Sequence, residues 1–288
     1  METVVLADSC CDLPRSYIEE NKVPAMSISV RFKGKEYPGD FGKSLEFKYF
    51  YDEVRKGEIA TSSQENTYSF AEKFRSFVLE NKAVIYIGLS SALSGTVNNA
   101  FMASEQILEE YPKADITVID SLCASAGGGL LVYYAVEMLK RGASKDEIVK
   151  FVEENKLKVN HWFTVEDLVY LKRGGRLSGT AAAIGTLLDI KPIMHVDNAG
   201  RLVPVTKVKG RKKSIKALAE QLDARIIREE EQTIFISHAD CIQDATTLKN
   251  IILDKHKFKE IIICDIGPTI GAHSGPGTLA LFFLGEKR

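Results

Sequence analysis

Long hydrophobic runs are missing from this sequence of 288 residues. Nothing in it approaches the ~18 consecutive apolar residues that a bilayer-spanning helix needs, and the apolar part of the N-terminal METVVLADSCCDLP is too short for a signal peptide. Net charge is nearly missing too. Lys and Arg number 38 against 39 Asp and Glu, leaving −1 at pH 7, so no overall basic field draws in nucleic acid or an anionic membrane. Cysteine is sparse and unpatterned. Cys10, Cys11, Cys123, Cys241 and Cys264 include no CxxC pair, and adjacent Cys10 and Cys11 are badly placed to bridge each other. An odd count without a framework points to a reducing, cytoplasmic setting rather than to disulfides. No His and Cys cluster has zinc-ligand spacing, so no metal is expected. Repeats and low-complexity segments are also lacking.

What remains is the composition of a soluble globular protein, 45% hydrophobic and 27% charged. Strands and helices alternate in the first half. TVVLAD, AVIYIGL and DITVIDS read as strands. LPRSYIEEN, LEFKYFYDEVRKG, TYSFAEKFRSFVLEN, NNAFMASEQILEEY and the apolar GGLLVYYAVEMLKRG read as helices. This order predicts an α/β fold whose first domain, residues 1–160, is a three-layer α/β/α unit on a mainly parallel sheet. AMSISVRFKGKEYPG, turning at Lys33 and Gly34, predicts a small β-ribbon insertion near 25–45. The pattern changes near residue 160. VNHWFTV is a strand, VEDLVYLKRGG a helix stopped by glycines, TAAAIGTLLDI a small-residue helix, and PIMHVDNAGRLVPVTKV a hairpin turning at Asp197–Gly200. QTIFISHA, EIIICDIG and TLALFFL add strands between KKSIKALAEQLDARII, DATTLKNIILDKHK and a GPTIGAHSGPG loop. Residues 161–288 are therefore expected to form a second, two-layer α+β domain with a mixed sheet.

Several stretches are candidates for chemistry. TSSQENT (61–67) precedes a helix. It is either an N-cap or a set of donors, Thr61 and Ser62, for an anion. SSALSGT (90–96) lies between the carboxyl end of a strand and a helix start. There it is either a turn capped by Ser94 or Thr96, or an anion grip. GLSSA approaches the G-x-S-x-G elbow, so Ser90 or Ser94 with His273 would make a serine hydrolase or acyltransferase, although no acidic partner is evident. SAGGGLLV is neither G-x-G-x-x-G nor a P-loop and reads as close helix packing. LKRGGRLSG sets Lys172, Arg173 and Arg176 around a glycine break, either as helix C-terminal cations or with an arginine turned inward to a carboxylate or phosphate. KVKGRKKSIK, offset by REEEQ nearby, reads as a solvated face, a docking face for an acidic partner, or a phosphate contact at Arg211. GPTIGAHSGPG (267–277) frames His273 with glycines and prolines. Such a loop is costly to order, which favours a role for the histidine. His161, His195, His238 and His256 lack such a frame and read as structural or solvated.

ADSCCDLP, TSSQ, SSALSGT, VIDS, YLKRGGRLSG, the KP at 191–192, GRKK and IGAHSGPG, in this order over nearly the whole chain, resemble the DegV family of bacterial proteins. Two departures stand out: Glu65 where the family commonly has Pro, and SGTVNNA after the second hydroxyl cluster. The resemblance implies a two-domain α/β protein that binds one long-chain fatty acid between its domains and uses no other cofactor. In Gram-positive bacteria such members are the lipid-binding carrier subunit of fatty acid kinase. A separate ATP-dependent catalytic subunit phosphorylates the carboxylate, and the acyl phosphate passes to phospholipid synthesis, with transient membrane contact. Carried onto this chain, Thr61, Ser62, Ser94 and His273 would hold the carboxylate, and Arg173, Arg176 and Arg211 would be phosphate or partner contacts. No residue of the chain would be catalytic.

Overall fold

The computed structural model describes residues 1–177 and 189–288. In it β1 (Glu2–Asp8), β2 (Ala25–Met26), β6 (Lys82–Gly88) and β7 (Ile116–Asp120) form a four-stranded sheet in the order β2-β1-β6-β7. Every pairing in it is parallel, and parallel neighbours need crossover connections. The sheet is covered on both faces, which is why β6 reads as a continuous apolar run instead of alternating. Leu6, Val84 and Tyr86 point to α3 (Thr67–Leu79) and α4 (Thr96–Glu110), meeting Phe70, Phe74, Val97 and Ile107. Val5, Ala7, Ile85 and Ile87 point the other way, to α5 (Ala126–Lys140) and α6 (Lys145–Asn155). The first half is thus a three-layer α/β/α arrangement.

A three-stranded antiparallel sheet joins β3 (Val30–Phe32), β4 (Lys35–Tyr37) and β5 (Ala60–Ser62). Lys33 and Gly34 both have positive φ, 51° and 74°, as a tight hairpin matched to strand twist requires. The third strand comes from later in the chain than the expected 25–45 ribbon, after α2 (Phe47–Arg55). This brings the first hydroxyl cluster onto the sheet.

The six-stranded sheet takes β8 (Val159–Thr164), β9 (Ile190–Val196), β10 (Leu202–Lys209), β11 (Thr233–His238), β12 (Glu260–Asp265) and β13 (Leu279–Leu284). Its order is β10-β9-β8-β13-β11-β12, antiparallel except for β11 with β12, hence a mixed sheet. One face carries α8 (Arg211–Asp223) and α9 (Ile242–Leu253) over Ile193, Ile234, Ile236 and Leu281. The other face meets α5. One apolar cluster runs from Val5 through Leu130 and Leu131 to Phe235 and Phe282, so α5 is buried between two sheets and is apolar nearly all round. The division expected between residues 160 and 161 falls inside β8, and the change of sheet lies between β7 and β8.

Three elements depart from expectation. The GPTIGAHSGPG segment is not a plain loop but carries α10 (Pro268–Ser274), with Pro at its first turn and Gly275 ending it at φ 78°. Both residues sit where helix termini favour them. VEDLVYLKRGG yields only a short α7 (Val169–Arg173). The unread α6 opens on a capping box, Ser144 with Glu147, a signal present in SKDE. Of TAAAIGTLLDI, residues 180–188 lie outside the described residues, and Ile190 begins β9.

Two of the three glycines opening α5 have a packing purpose. A Cβ on Gly127 would overlap the His161 imidazole, and one on Gly129 would overlap the Cys11 carbonyl. One on Gly128 would meet nothing closer than 3.9 Å. Denaturant unfolding should therefore separate them. Gly129→Ala and Gly127→Ala are expected to destabilise by about 1–3 kcal/mol through overpacking, and Gly128→Ala to be stabilising by up to about 1 kcal/mol through helix propensity.

Candidate functional site

Strand alternation decides which residue of the first hydroxyl cluster can act. On β5, Ser62 turns inward to line a cavity, whereas Thr61 beside it faces the opposite side and is exposed. Thr61 therefore does not line the cavity, and Ser62 does. From the other side α10 brings His273, and Ser62 Oγ and His273 Nε2 share a hydrogen bond of 2.7 Å. His273 Nδ1 is buried with no hydrogen-bond partner among the described residues. It lies against Gly174 in the turn after α7, where a Cβ would overlap it. Burial, with the nearby Arg176 charge, pushes the imidazole down to about 4, so the ring is neutral at physiological pH.

The second cluster forms the facing wall. Ser94 lines the cavity, its Oγ 2.9 Å from Thr96 Oγ1 and accepting the Thr96 N–H at 3.3 Å. The two hydroxyl loops are stitched together. Glu65 N–H donates to Thr96 Oγ1 at 3.2 Å, and Asn99 Nδ2 donates to the Glu65 carbonyl at 2.7 Å. Here the departure from the family pattern has a consequence, because proline at 65 would have no N–H to give. Gln64 lies over Gly95 at the exposed rim.

Of the three candidate arginines, Arg176 is the one turned inward. It lines the cavity and bridges the walls, with Nε donating to the Leu93 carbonyl at 3.0 Å and Nη1 to the Gly174 carbonyl at 2.5 Å. Arg173 is exposed, its guanidinium 5.7 Å from the Tyr170 ring. Arg211 lies outside the cavity and donates to Asp244 at 2.9 Å. Ser90 is fully buried and donates to the Gly200 carbonyl at 3.0 Å, pinning the β9–β10 turn. With its hydroxyl committed there, Ser90 is unsuited to be a nucleophile.

One cavity-lining hydroxyl was missed. Ser274 Oγ is buried, lines the cavity and has no partner among the described residues. It stood next to His273 in the sequence, and reading the segment as a loop hid its fixed direction on a helix. Around these polar groups Ile28, Leu89, Leu93, Leu171, Leu202 and Ile270 make the rest of a cavity of about 280 Å³. A larger neighbouring cavity of about 380 Å³ is lined by Asp12, Asp40, Asp240 and Asp265 together with Arg15 and Lys48. Among the described residues no group of His, Cys, Asp and Glu is placed to hold a metal, and no helix is long and apolar enough to cross a membrane.

The sequence model of the DegV family, described as an uncharacterised protein family, matches residues 2–286. The chain belongs to the DegV family. A DegV domain-containing protein of Clostridium perfringens is 47% identical, covering 99% of this chain and 98% of its own. Among solved structures, a DegV lipid-binding protein of Thermotoga maritima superposes with a TM-score of 0.87 at 30% identity, covering 100% of both chains. DegV of Bacillus subtilis, a fatty acid binding protein, gives 0.83 at 31%, covering 99% of this chain and 100% of that one. The α/β architecture is therefore that of the DegV fold.

Chemically, this DegV site offers two hydroxyl walls, a neutral imidazole and an arginine beside an apolar cavity. Hydroxyl and guanidinium donors can replace the water that an anion's oxygens lose on burial. Free His titrates near pH ~6.5, and the folded His273 only near 4. The unfolded chain thus binds the extra proton in between, so this histidine's contribution to stability is full above pH ~6.5 and is lost as pH falls toward 4. The ring resonances of His273 should accordingly stay unshifted by NMR between about pH 8 and 5, and His273→Gln should flatten this part of the acid-stability profile. A ring that titrates near 6.5 would contradict the buried neutral state.

Proposed function

We propose that the cavity holds the carboxylate end of a single long-chain fatty acid and that the protein is a carrier presenting this carboxylate to an ATP-dependent kinase subunit. The observation that carries the reading is the convergence of Ser62, Ser94, His273 and Arg176 on an apolar cavity. The fatty acids bound by DegV relatives of Thermotoga maritima and Bacillus subtilis support it. The hydroxyls of Ser62, Ser94 and Ser274 donate to the carboxylate, and Arg176 supplies the countercharge. The tail takes the apolar interior. At ~0.8 kcal/mol per buried CH₂, a long chain gains on the order of 10 kcal/mol gross, less the cost of ordering tail and protein. Tight binding then needs no covalent bond.

The exposed rim at Ser63 and Gln64 is where the headgroup meets a partner. A carboxylate oxygen attacks the γ-phosphorus of ATP on the kinase, ADP leaves, and the acyl phosphate passes on to phospholipid synthesis. In this reading the chain itself catalyses nothing, works in the cytoplasm and touches a membrane only in passing. Arg173, exposed beside the site, is the contact proposed for the incoming phosphate or kinase.

Native mass spectrometry of protein purified from bacterial cells should show a bound fatty acid; a clean apo mass with no uptake of added oleate or palmitate overturns the reading. Ser94→Ala should lower phosphorylation by the kinase subunit further than it lowers occupancy, by about tenfold if one charge-assisted hydrogen bond is lost. Equal falls contradict the role given to Ser94.

The bond between Ser62 and His273 also has the spacing of a nucleophile and its base. Among the described residues no acid orients Nδ1, which faces Gly174, so they hold no full triad. A fluorophosphonate probe labelling Ser62 in a His273-dependent way would favour this hydrolase reading over the carrier.

A further inference from the structure

In the ADSCCD stretch Ala7 and Cys11 join the core, whereas the carboxylates of Asp8 and Asp12 serve neither the core nor the cavity's donors. The stretch folds as a single 3₁₀ turn, Ser9–Cys11, with Asp8 capping its start and Asp12 ending it at φ 48°. Both aspartates are nearly fully buried, a costly placement unless their oxygens are used. Asp8 Oδ1 accepts the Cys10 N–H at 2.9 Å, and Oδ2 accepts the Tyr86 hydroxyl and the Leu89 N–H, each at 3.0 Å. Leu89 is the residue from which the Ser90–Thr96 loop departs. Asp12 Oδ1 accepts the Gly267 N–H at 2.9 Å, and Oδ2 accepts the Ser125 hydroxyl at 2.5 Å. Gly267 is the N-cap of α10, which carries His273. Between the aspartates, Ser9 Oγ accepts the Ile28 N–H at 3.0 Å, and Thr269 of α10 donates to the Ile28 carbonyl at 3.1 Å. Cys10 itself lines the cavity.

Resting on the carboxylate reading of the cavity, we infer that Asp8 and Asp12 are positioning residues for the ligand's headgroup: one short turn fixes the Ser94 wall through Leu89 and the His273 wall through Gly267. Neither aspartate needs to touch the ligand. Their effect is to hold two walls, far apart in sequence, at the spacing one carboxylate can bridge. Hydrogen-bond strength falls steeply with misalignment, so a small shift of either wall weakens headgroup contacts while leaving the apolar tail contacts nearly unchanged.

The two aspartates differ in what can replace them. Asp12 receives one N–H and one hydroxyl, and a serine hydroxyl can turn round to accept. Burial also keeps Asp12 protonated to about pH 8, so Asn is a close substitute. Asp8 receives donors on both oxygens, and two are backbone N–H groups. An Asn amide at position 8 would set its NH₂ against one of them in either orientation.

The test compares binding of oleic acid with binding of oleyl alcohol, the same tail without the carboxylate, to delipidated full-length protein. Wild type is expected to prefer the acid. Asp12→Ala and Asp8→Asn should cut that preference by about tenfold with alcohol affinity held within about threefold, whereas Asp12→Asn should retain the preference. Should Asp8→Asn fail to fold, Tyr86→Phe takes its place, with a smaller fall in the same ratio expected. Acid and alcohol affinities falling together, or an unchanged ratio in variants that fold while Ser94→Ala loses it, overturns the inference and leaves the carboxylate reading standing. A wild-type protein with no preference for the acid removes the reading itself.

Discussion

A hydrogen bond between Ser62 and His273 spans most of the chain's length and joins the small antiparallel sheet to the last helix. It closes the site between two walls that are each anchored separately, β5 by pairing with β3 and α10 by the hydrogen bonds of Gly267 to Asp12 and of Thr269 to Ile28. Strand β5 is three residues long and α10 only seven, too short to be stable alone. Their geometry is set by what they pack against. Gly174 fills the far side of the imidazole ring so closely that no other residue fits. The ring is therefore held on one nitrogen by a hydroxyl and on the other by a backbone contact that offers no hydrogen bond.

That arrangement sets the electrostatic character of the cavity. A protonated histidine would be a second cation beside Arg176, and burial forbids it. The site consequently faces a ligand with hydroxyl donors and one guanidinium, itself braced on two carbonyls. Donors already fixed by the fold need little reorganisation when an anion arrives.

The layered architecture was legible because burial on both faces writes itself as unbroken apolar runs, as in β6, and one-sided burial as a helical stripe, as in Phe70 and Phe74 of α3. His273 and Ser94 drew notice through composition, as a glycine-framed histidine and part of a hydroxyl cluster, and the resemblance to the DegV family singled them out. Thr61 and Arg173 lie off the cavity wall for a shared reason. Motif reading ranks neighbours alike, but a strand sends adjacent residues to opposite faces, and a helix end sends Arg173 outward while the glycine break returns Arg176 inward. The helix α10 was hidden by its glycines, poor helix formers held there by contacts such as that of Gly271 with Tyr51. Asp8 and Asp12 could not be assigned from sequence, because their partners lie up to 255 residues away.

Glu65 carries one more implication. A proline there would narrow the unfolded chain and stiffen the rim before any contact formed, but would forfeit the N–H that Thr96 accepts. This chain instead leaves the rim's backbone free until Thr96 receives the Glu65 N–H. Its order is then cooperative with the opposite loop and not intrinsic to its own segment. The bonds of the Glu65 N–H to Thr96 and of Asn99 to the Glu65 carbonyl thus tie both lips of the cavity, so that the order of one depends on the other.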